Sequence, residues 1–252
     1  MRLTILGSGS FLPDKNRNCS GYLLDIGGET ILLDGGSGTL RQIAKADRSI
    51  LEIRRVFYTH FHLDHMADFA PLLFTRKNYK PERPTAPLYI HAHRDFAYYF
   101  DNLTKIFEKW TVDPEFPAIF QPLTPGEFEF SGYKLRVFPS NHTPESLMYR
   151  FEEPGGKSLL YTGDVDLDDV LIEASRAVDL LLIECGNLTD NPTPGHMNPG
   201  KIGDLIRVAN PKRIVLTHLP PEADNLNIRQ SFTIEFLGRI ILAEDLRVFQ
   251  LP

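Results

Sequence analysis

Residues 55–65 read Arg55, Val56, Phe57, Tyr58, Thr59, His60, Phe61, His62, Leu63, Asp64, His65, an apolar run that breaks into an HxHxDH cluster. Four side chains able to ligate a divalent ion within six residues are more than a fold needs, and they point to metal-assisted hydrolysis. The run Val56 to Thr59 reads as a buried strand, so the cluster lies on the loop at its C-terminal end. His60 and His62 are two apart on extended chain, and both imidazoles can face one side. Asp64 and His65 follow where the chain turns, so one segment can feed two metal ions.

The same arrangement recurs further along. Lys134 to Pro139 reads as a strand that runs toward His142. Leu147 to Glu152 and Ser158 to Tyr161 pair around Gly155 and Gly156, with Thr162, Gly163 and Asp164 following. Arg213 to Thr217 is a strand ending at His218. A dinuclear hydrolytic site needs about three protein ligands per ion, a bridging carboxylate and a water whose pKa falls to roughly 7. His142, Asp164 and His218 complete that count, and a single sheet edge could gather all seven groups. Structural histidines and aspartates rarely assemble this way, because buried unpaired imidazoles and carboxylates are costly.

The remaining chain is read as short strands and glycine turns, then helices. Leu3 to Leu6 is a first strand, and Tyr22 to Ile26 with Thr30 to Asp34 form a hairpin over Gly27 and Gly28. Ser37 to Ala46 and Pro199 to Ala209 read as helices, and Leu88 to His91, Leu180 to Glu184 and Arg247 to Leu251 as strands. Arg94 to Trp110 places Phe96, Tyr99, Leu103, Phe107 and Trp110 at helical spacing, as a core face or, more sharply, a lid over a substrate pocket. The stretches Phe74 to Pro87 and Pro114 to Pro125 read as loops. His91 and His93 alternate on a strand with nothing to pair them with the cluster, so they read as packing residues. The two halves repeat one plan, and a layered α/β domain over 1–252 accounts for it.

Composition narrows the context. With 252 residues, 42% apolar and 24% charged, the chain can bury a sizeable core. No apolar stretch approaches the roughly 20 residues that span a bilayer, and the N-terminus lacks a secretory pattern, so a cytoplasmic protein with no membrane partner is expected. Cys19 and Cys185 lie far apart without CxxC spacing, which suits a reducing compartment and argues against a disulfide framework or a thiolate zinc site. A formal charge of −6 opposes non-specific nucleic-acid binding, so an RNA substrate would need a local basic patch.

The order HxHxDH, His142, Gly163 with Asp164, then His218 resembles the metallo-β-lactamase superfamily, whose fold is a four-layer αββα sandwich. Its ribonuclease Z-like branch fits best, through Leu6 to Ser10, Arg17 with Asn18, the run Leu33 to Ile43, Gly195, His196, Met197 before a helix, and Leu216, Thr217, His218. The resemblance implies one ion held by His60, His62 and His142, a second by Asp64, His65 and His218, and Asp164 between them. It also implies that a metal-bound hydroxide attacks phosphorus, that Asp64 serves as general base, and that His196 contacts the scissile phosphate or protonates the leaving oxygen. Asp34 is expected to support the metal-site histidines. Homodimers are common in this family.

Three departures bear on substrate. Ribonuclease Z enzymes commonly carry a long tRNA-grasping arm between the third metal histidine and the bridging aspartate, whereas Thr143 to Gly163 holds only a hairpin. Pro220 and Pro221 follow His218 where tRNA enzymes tend to have serine and arginine, and Glu184, Cys185, Gly186, Asn187 stand where a His, Glu, Ala, Thr string is frequent. A small or cyclic phosphodiester, like that of the related cyclic-phosphate phosphodiesterases, is therefore expected alongside an RNA 3′ end. Histidine with carboxylate suits two Zn²⁺ ions best, and Mn²⁺ or Fe could use the same ligands. The alternative is a lactone, thioester or carboxylic ester hydrolase with the same metal centre.

Overall fold

Side chains alternate between two interiors along strand after strand. In Leu180–Glu184, Leu180 and Leu182 enter one core while Leu181 and Ile183 enter another. In Leu147–Glu152, Leu147, Tyr149 and Phe151 share the first core and Met148 the second. A strand buried on both faces must sit in the middle of a layered structure, since successive side chains point to opposite sides.

This computed structural model describes residues 1–79, 82–188, 193–224, 228–232 and 234–251. The first half comprises β1 (Arg2–Gly7), β2 (Gly21–Ile26), β3 (Glu29–Gly35), α1 (Thr39–Lys45), β4 (Ile53–Phe57), α2 (Leu63–Met66), α3 (Phe69–Asn78), β5 (Leu88–His93), α4 (Phe96–Thr111) and β6 (Ala118–Leu123). Next come β7 (Gly126–Phe130), β8 (Tyr133–Pro139), β9 (Leu147–Glu152), β10 (Ser158–Tyr161), α5 (Asp169–Ser175), β11 (Leu180–Glu184), α6 (Pro199–Ala209), β12 (Arg213–Thr217), α7 (Ile234–Leu237), β13 (Ile240–Leu242) and β14 (Val248–Gln250).

The strands form two seven-stranded sheets, ordered β14-β1-β2-β3-β4-β5-β6 and β13-β12-β11-β10-β9-β8-β7. Both follow one scheme: three antiparallel ladders, then three parallel ones. The repeated plan expected from the sequence is thus a repeated sheet topology, with hairpin β2–β3 corresponding to hairpin β9–β10. Phe57, Tyr149 and Phe151 pack edge to face between the sheets, at centroid distances of 5.4 and 5.5 Å from Phe57. Ile43, Phe69, Leu72 and Phe96 cover the outer face of the first sheet, and Leu171, Ile202, Leu205 and Ile206 that of the second. The result is the expected four-layer αββα sandwich.

Several expectations need correction. The stretch 114–125 contains β6, an edge strand whose Pro122 is tolerated because its missing N–H faces no neighbour. Phe74 to Asn78, read as loop, completes α3; residues 80 and 81 of the expected connection lie outside the described residues. On α4 the stripe Phe96, Phe100 and Leu103 meets the core, whereas Tyr99, Phe107 and Trp110 are exposed. The spacing found the helix, but its core-facing apolar stripe ends at Leu103, about two turns short of Trp110. No described helix is long and apolar enough to cross a membrane.

Candidate metal centre

The ligand-bearing loops leave one end of the sandwich, but from both sheets: His60 to His65 follow β4 in the first, while His142, Asp164 and His218 follow β8, β10 and β12 in the second. The expected single sheet edge is therefore two edges facing each other across the inner core. This placement needs the chain to turn sharply after each strand. Gly163 does so at φ 56°, and a Cβ there would lie 2.6 Å from Thr59 Oγ1, so only glycine lets β10 meet the end of β4.

All seven expected residues come together, in two groups. Ligating atoms of His60, His62, His142 and Asp164 lie within 4.8 Å of one another, as do those of Asp64, His65 and His218. His60 Nε2 is 3.1 Å from His62 Nδ1, and His142 Nε2 is 3.3 Å from the same atom. Asp164 spans the groups. Its Oδ2 is 3.7 Å from both His60 Nε2 and His142 Nε2, and its Oδ1 is 3.2 Å from His65 Nε2 and 3.0 Å from His218 Nδ1. Asp64 Oδ2 lies 3.7 Å from His65 Nε2 and from His218 Nε2.

The donor set fits divalent ions on its own chemistry. His65 Nε2 and Asp164 Oδ1 are buried and make no hydrogen bond. Orphaned buried polar atoms are rare unless something else satisfies them. Burial pushes the His60 imidazole well below its ordinary pKa, leaving the neutral form that a metal requires. Burial opposes charge on His65 too, but the Asp164 and Asp34 carboxylates outweigh it and hold that imidazole well above its ordinary range. Asp164 is likewise held well below the carboxylate range, because His218 and His65 outweigh its burial.

Asp34, at the end of β3, holds this arrangement in place. Its Oδ2 accepts from His65 Nδ1 at 2.8 Å, from Thr59 Oγ1 at 2.7 Å and from Tyr161 OH at 2.5 Å, while Oδ1 accepts from Thr59 N at 2.8 Å. Tying up Nδ1 fixes the His65 tautomer and aims Nε2 at Asp164.

His196 lies beside the cluster, its ring centroid 4.9 Å from His142 and 6.2 Å from His218, with a side chain 24% exposed. Sequence reasoning missed its partner. Glu184, fully buried at the end of β11, accepts from His196 Nδ1 at 2.8 Å, from Val165 N at 3.1 Å and from Gly186 N at 2.8 Å. The bond to Glu184 raises the His196 pKa above its ordinary value. A carboxylate ending an otherwise apolar strand was the available signal. His91 and His93 stay away from the cluster. His91 stacks on Phe57 at 4.5 Å and lies 3.2 Å from Arg55 Nη1, and His93 is 3.4 Å from Asp95. Cys19 and Cys185 are free thiols.

The chain is similar over nearly its whole length to known proteins. Ribonuclease Z of Methanosarcina acetivorans is 25% identical, covering 100% of this chain and 98% of the relative. That alignment runs over 307 positions against 252 residues, so at least 55 of the relative's positions have no counterpart here. The probable metallo-hydrolase YhfI of Bacillus subtilis is 29% identical, covering 97% of this chain and 98% of the relative. The crystal structure of the short form of human tRNase Z shares the fold, with a TM-score of 0.81 at 22% identity and 100% of both chains covered. Residues 29–219 match the family model described as Beta-lactamase superfamily domain, and the chain belongs to that superfamily, standing with its ribonuclease Z-like hydrolases.

Proposed function

We propose that the chain is a dinuclear metal-dependent phosphodiesterase acting on a small or cyclic phosphodiester. The observation that carries this reading is Asp164, which presents one oxygen to each of two donor groups, with the His196–Glu184 pair directly beside them. His60, His62 and His142 would hold one ion and Asp64, His65 and His218 the other. Zn²⁺ suits this mixture of imidazole and carboxylate. Bound there, the ions would supply a Lewis acid for a phosphoryl oxygen and a water of lowered pKa.

The protein's own groups handle protons and orientation. Asp64 lies at the edge of the second group and accepts the proton of the attacking water. Glu184 accepts a hydrogen bond from His196 Nδ1, which stabilises the protonated ring and leaves the Nε2 proton free to pass to the departing alkoxide. The raised pKa keeps His196 charged nearer neutrality, and an alkoxide leaves slowly without such a proton. A small substrate is favoured because residues 143–163 form only the β9–β10 hairpin, with no arm to grasp a folded RNA.

Hydrolysis of a nucleoside 2′,3′-cyclic phosphate by the Zn²⁺- or Mn²⁺-loaded protein, beside His196→Ala, tests the reading. The variant should keep its metal and lose about 100-fold or more in kcat, the range expected of a lost general acid. A parent that cleaves lactones or thioesters but no phosphodiester would replace this reading with acyl hydrolysis.

A further inference from the structure

His196 stands on no helix or strand, yet a proton donor must be held to a fraction of an ångström. Glu184 fixes its ring; a separate set of contacts fixes its backbone. Gly195 N donates to Asp166 Oδ2 at 3.1 Å, and His142 Nδ1 donates to Gly195 O at 3.0 Å. Lys201 Nζ donates to His196 O at 3.1 Å and also closes on Asp166 Oδ1. Asp166 is itself anchored, its N–H bonded to Asn141 O at 3.0 Å and its Oδ1 accepting from Leu167 N at 2.7 Å. The peptide groups on either side of His196 are therefore tied to the segments that carry Asp164 and His142.

Lys201 is out of place as a helix residue. It is the third residue of α6, whose N-cap Asn198 already accepts from Lys201 N at 2.9 Å. The positive end of the helix dipole favours an acid there, and a capping box would place Glu or Gln at this position. A lysine that opposes the local need and folds back over the preceding loop signals another role.

We propose that Asp166 and Lys201 form a latch that positions His196 for proton donation. The catalytic part of this inference rests on the phosphodiesterase reading; the latch itself does not. Lys201→Met keeps the side-chain stem and removes the ammonium, and Lys201→Arg restores a cation.

Two readouts separate the possibilities. Amide hydrogen exchange over residues 193–198 should quicken about tenfold in Lys201→Met, with β11 and β12 unchanged and Lys201→Arg close to the parent. In kinetics, kcat on a nucleoside 2′,3′-cyclic phosphate, which expels an alkoxide, should fall about tenfold or more. KM, and turnover of bis(4-nitrophenyl) phosphate, whose leaving group needs no proton, should change by less than about twofold. Exchange unchanged in Lys201→Met would overturn the latch. Faster exchange with an unaltered preference between the two esters would overturn its role in positioning. If the parent cleaves neither ester, the phosphodiesterase reading falls and exchange alone decides the latch.

Discussion

Replacing Glu184 with glutamine removes a charge while keeping nearly the same volume in a fully buried position. Glu184 accepts three hydrogen bonds, from Val165 N, Gly186 N and His196 Nδ1. A glutamine has one oxygen, so its NH₂ must face at least one of these donors. If it faces Gly186, the bond to His196 survives without its charge; if it faces His196, Nδ1 must become an acceptor and the imidazole becomes neutral. A hydrogen bond to a charged group contributes about 1.5–3 kcal/mol against roughly 0.5–1.5 for a neutral one, so the loss is about 1–2 kcal/mol. At about 1.4 kcal/mol per factor of ten, kcat on a cyclic phosphate should fall roughly 5- to 30-fold. Because Glu184 raises the His196 pKa, its removal lets His196 lose its proton at lower pH, and the alkaline limb of the rate profile should move down. Steady-state kinetics across pH, with metal content and melting temperature measured on the same samples, decides the matter. A fully metallated, folded Glu184→Gln with parental kcat and an unshifted profile would refute the proposed support of His196 by Glu184.

His60→Ala should lose metal and turnover, since His60 is buried among three other candidate donors of its group and alanine supplies no ligating atom. Metal analysis after gel filtration and a phosphodiester assay would check it, and full activity with a normal metal content would contradict the ligand assignment. His91 gives a stability test away from the cluster. Burial and the neighbouring Arg55 push its pKa down to about 3, so the folded state refuses a proton that the unfolded chain accepts below about 6.5. Stability is therefore lost as pH falls from about 6.5 toward 3, by about 2 kcal/mol at pH 5 from this group. The melting temperature of His91→Gln should fall less between pH 8 and pH 5 than that of the parent; equal slopes would show that His91 does not contribute.

The gathering of the candidate donors was legible in the sequence because their spacing is local. His60 to Asp64 announce themselves by spacing, and His142, Asp164 and His218 each end a strand whose apolar run is easily read. Strands β9, β10, β11 and β12 were placed to the residue because both faces are buried and the pattern is unambiguous. The edge strands β6 and β7 were lost for the opposite reason, although β14, also at an edge, was found as Arg247 to Leu251. In β6, an edge strand, Gln121 and Pro122 cut the apolar run short after Phe120, and β7, Gly126–Phe130, starts on a glycine and carries two glutamates, so neither shows a sustained apolar run. Glu184, Asp166 and Lys201 stayed hidden because their importance lies in partners 12, 29 and 5 residues away that only the folded chain brings to them. The division of the cluster between two sheets was equally out of reach, since strand order across a sandwich leaves no local trace.

Adding Zn²⁺ stepwise to metal-free protein while following hydrolysis of a phosphodiester tests the account most directly. The rate should climb to its maximum at two equivalents per chain and vanish with a chelator. A maximum reached at one equivalent, or turnover indifferent to metal, would contradict a centre in which Asp164 serves two ions.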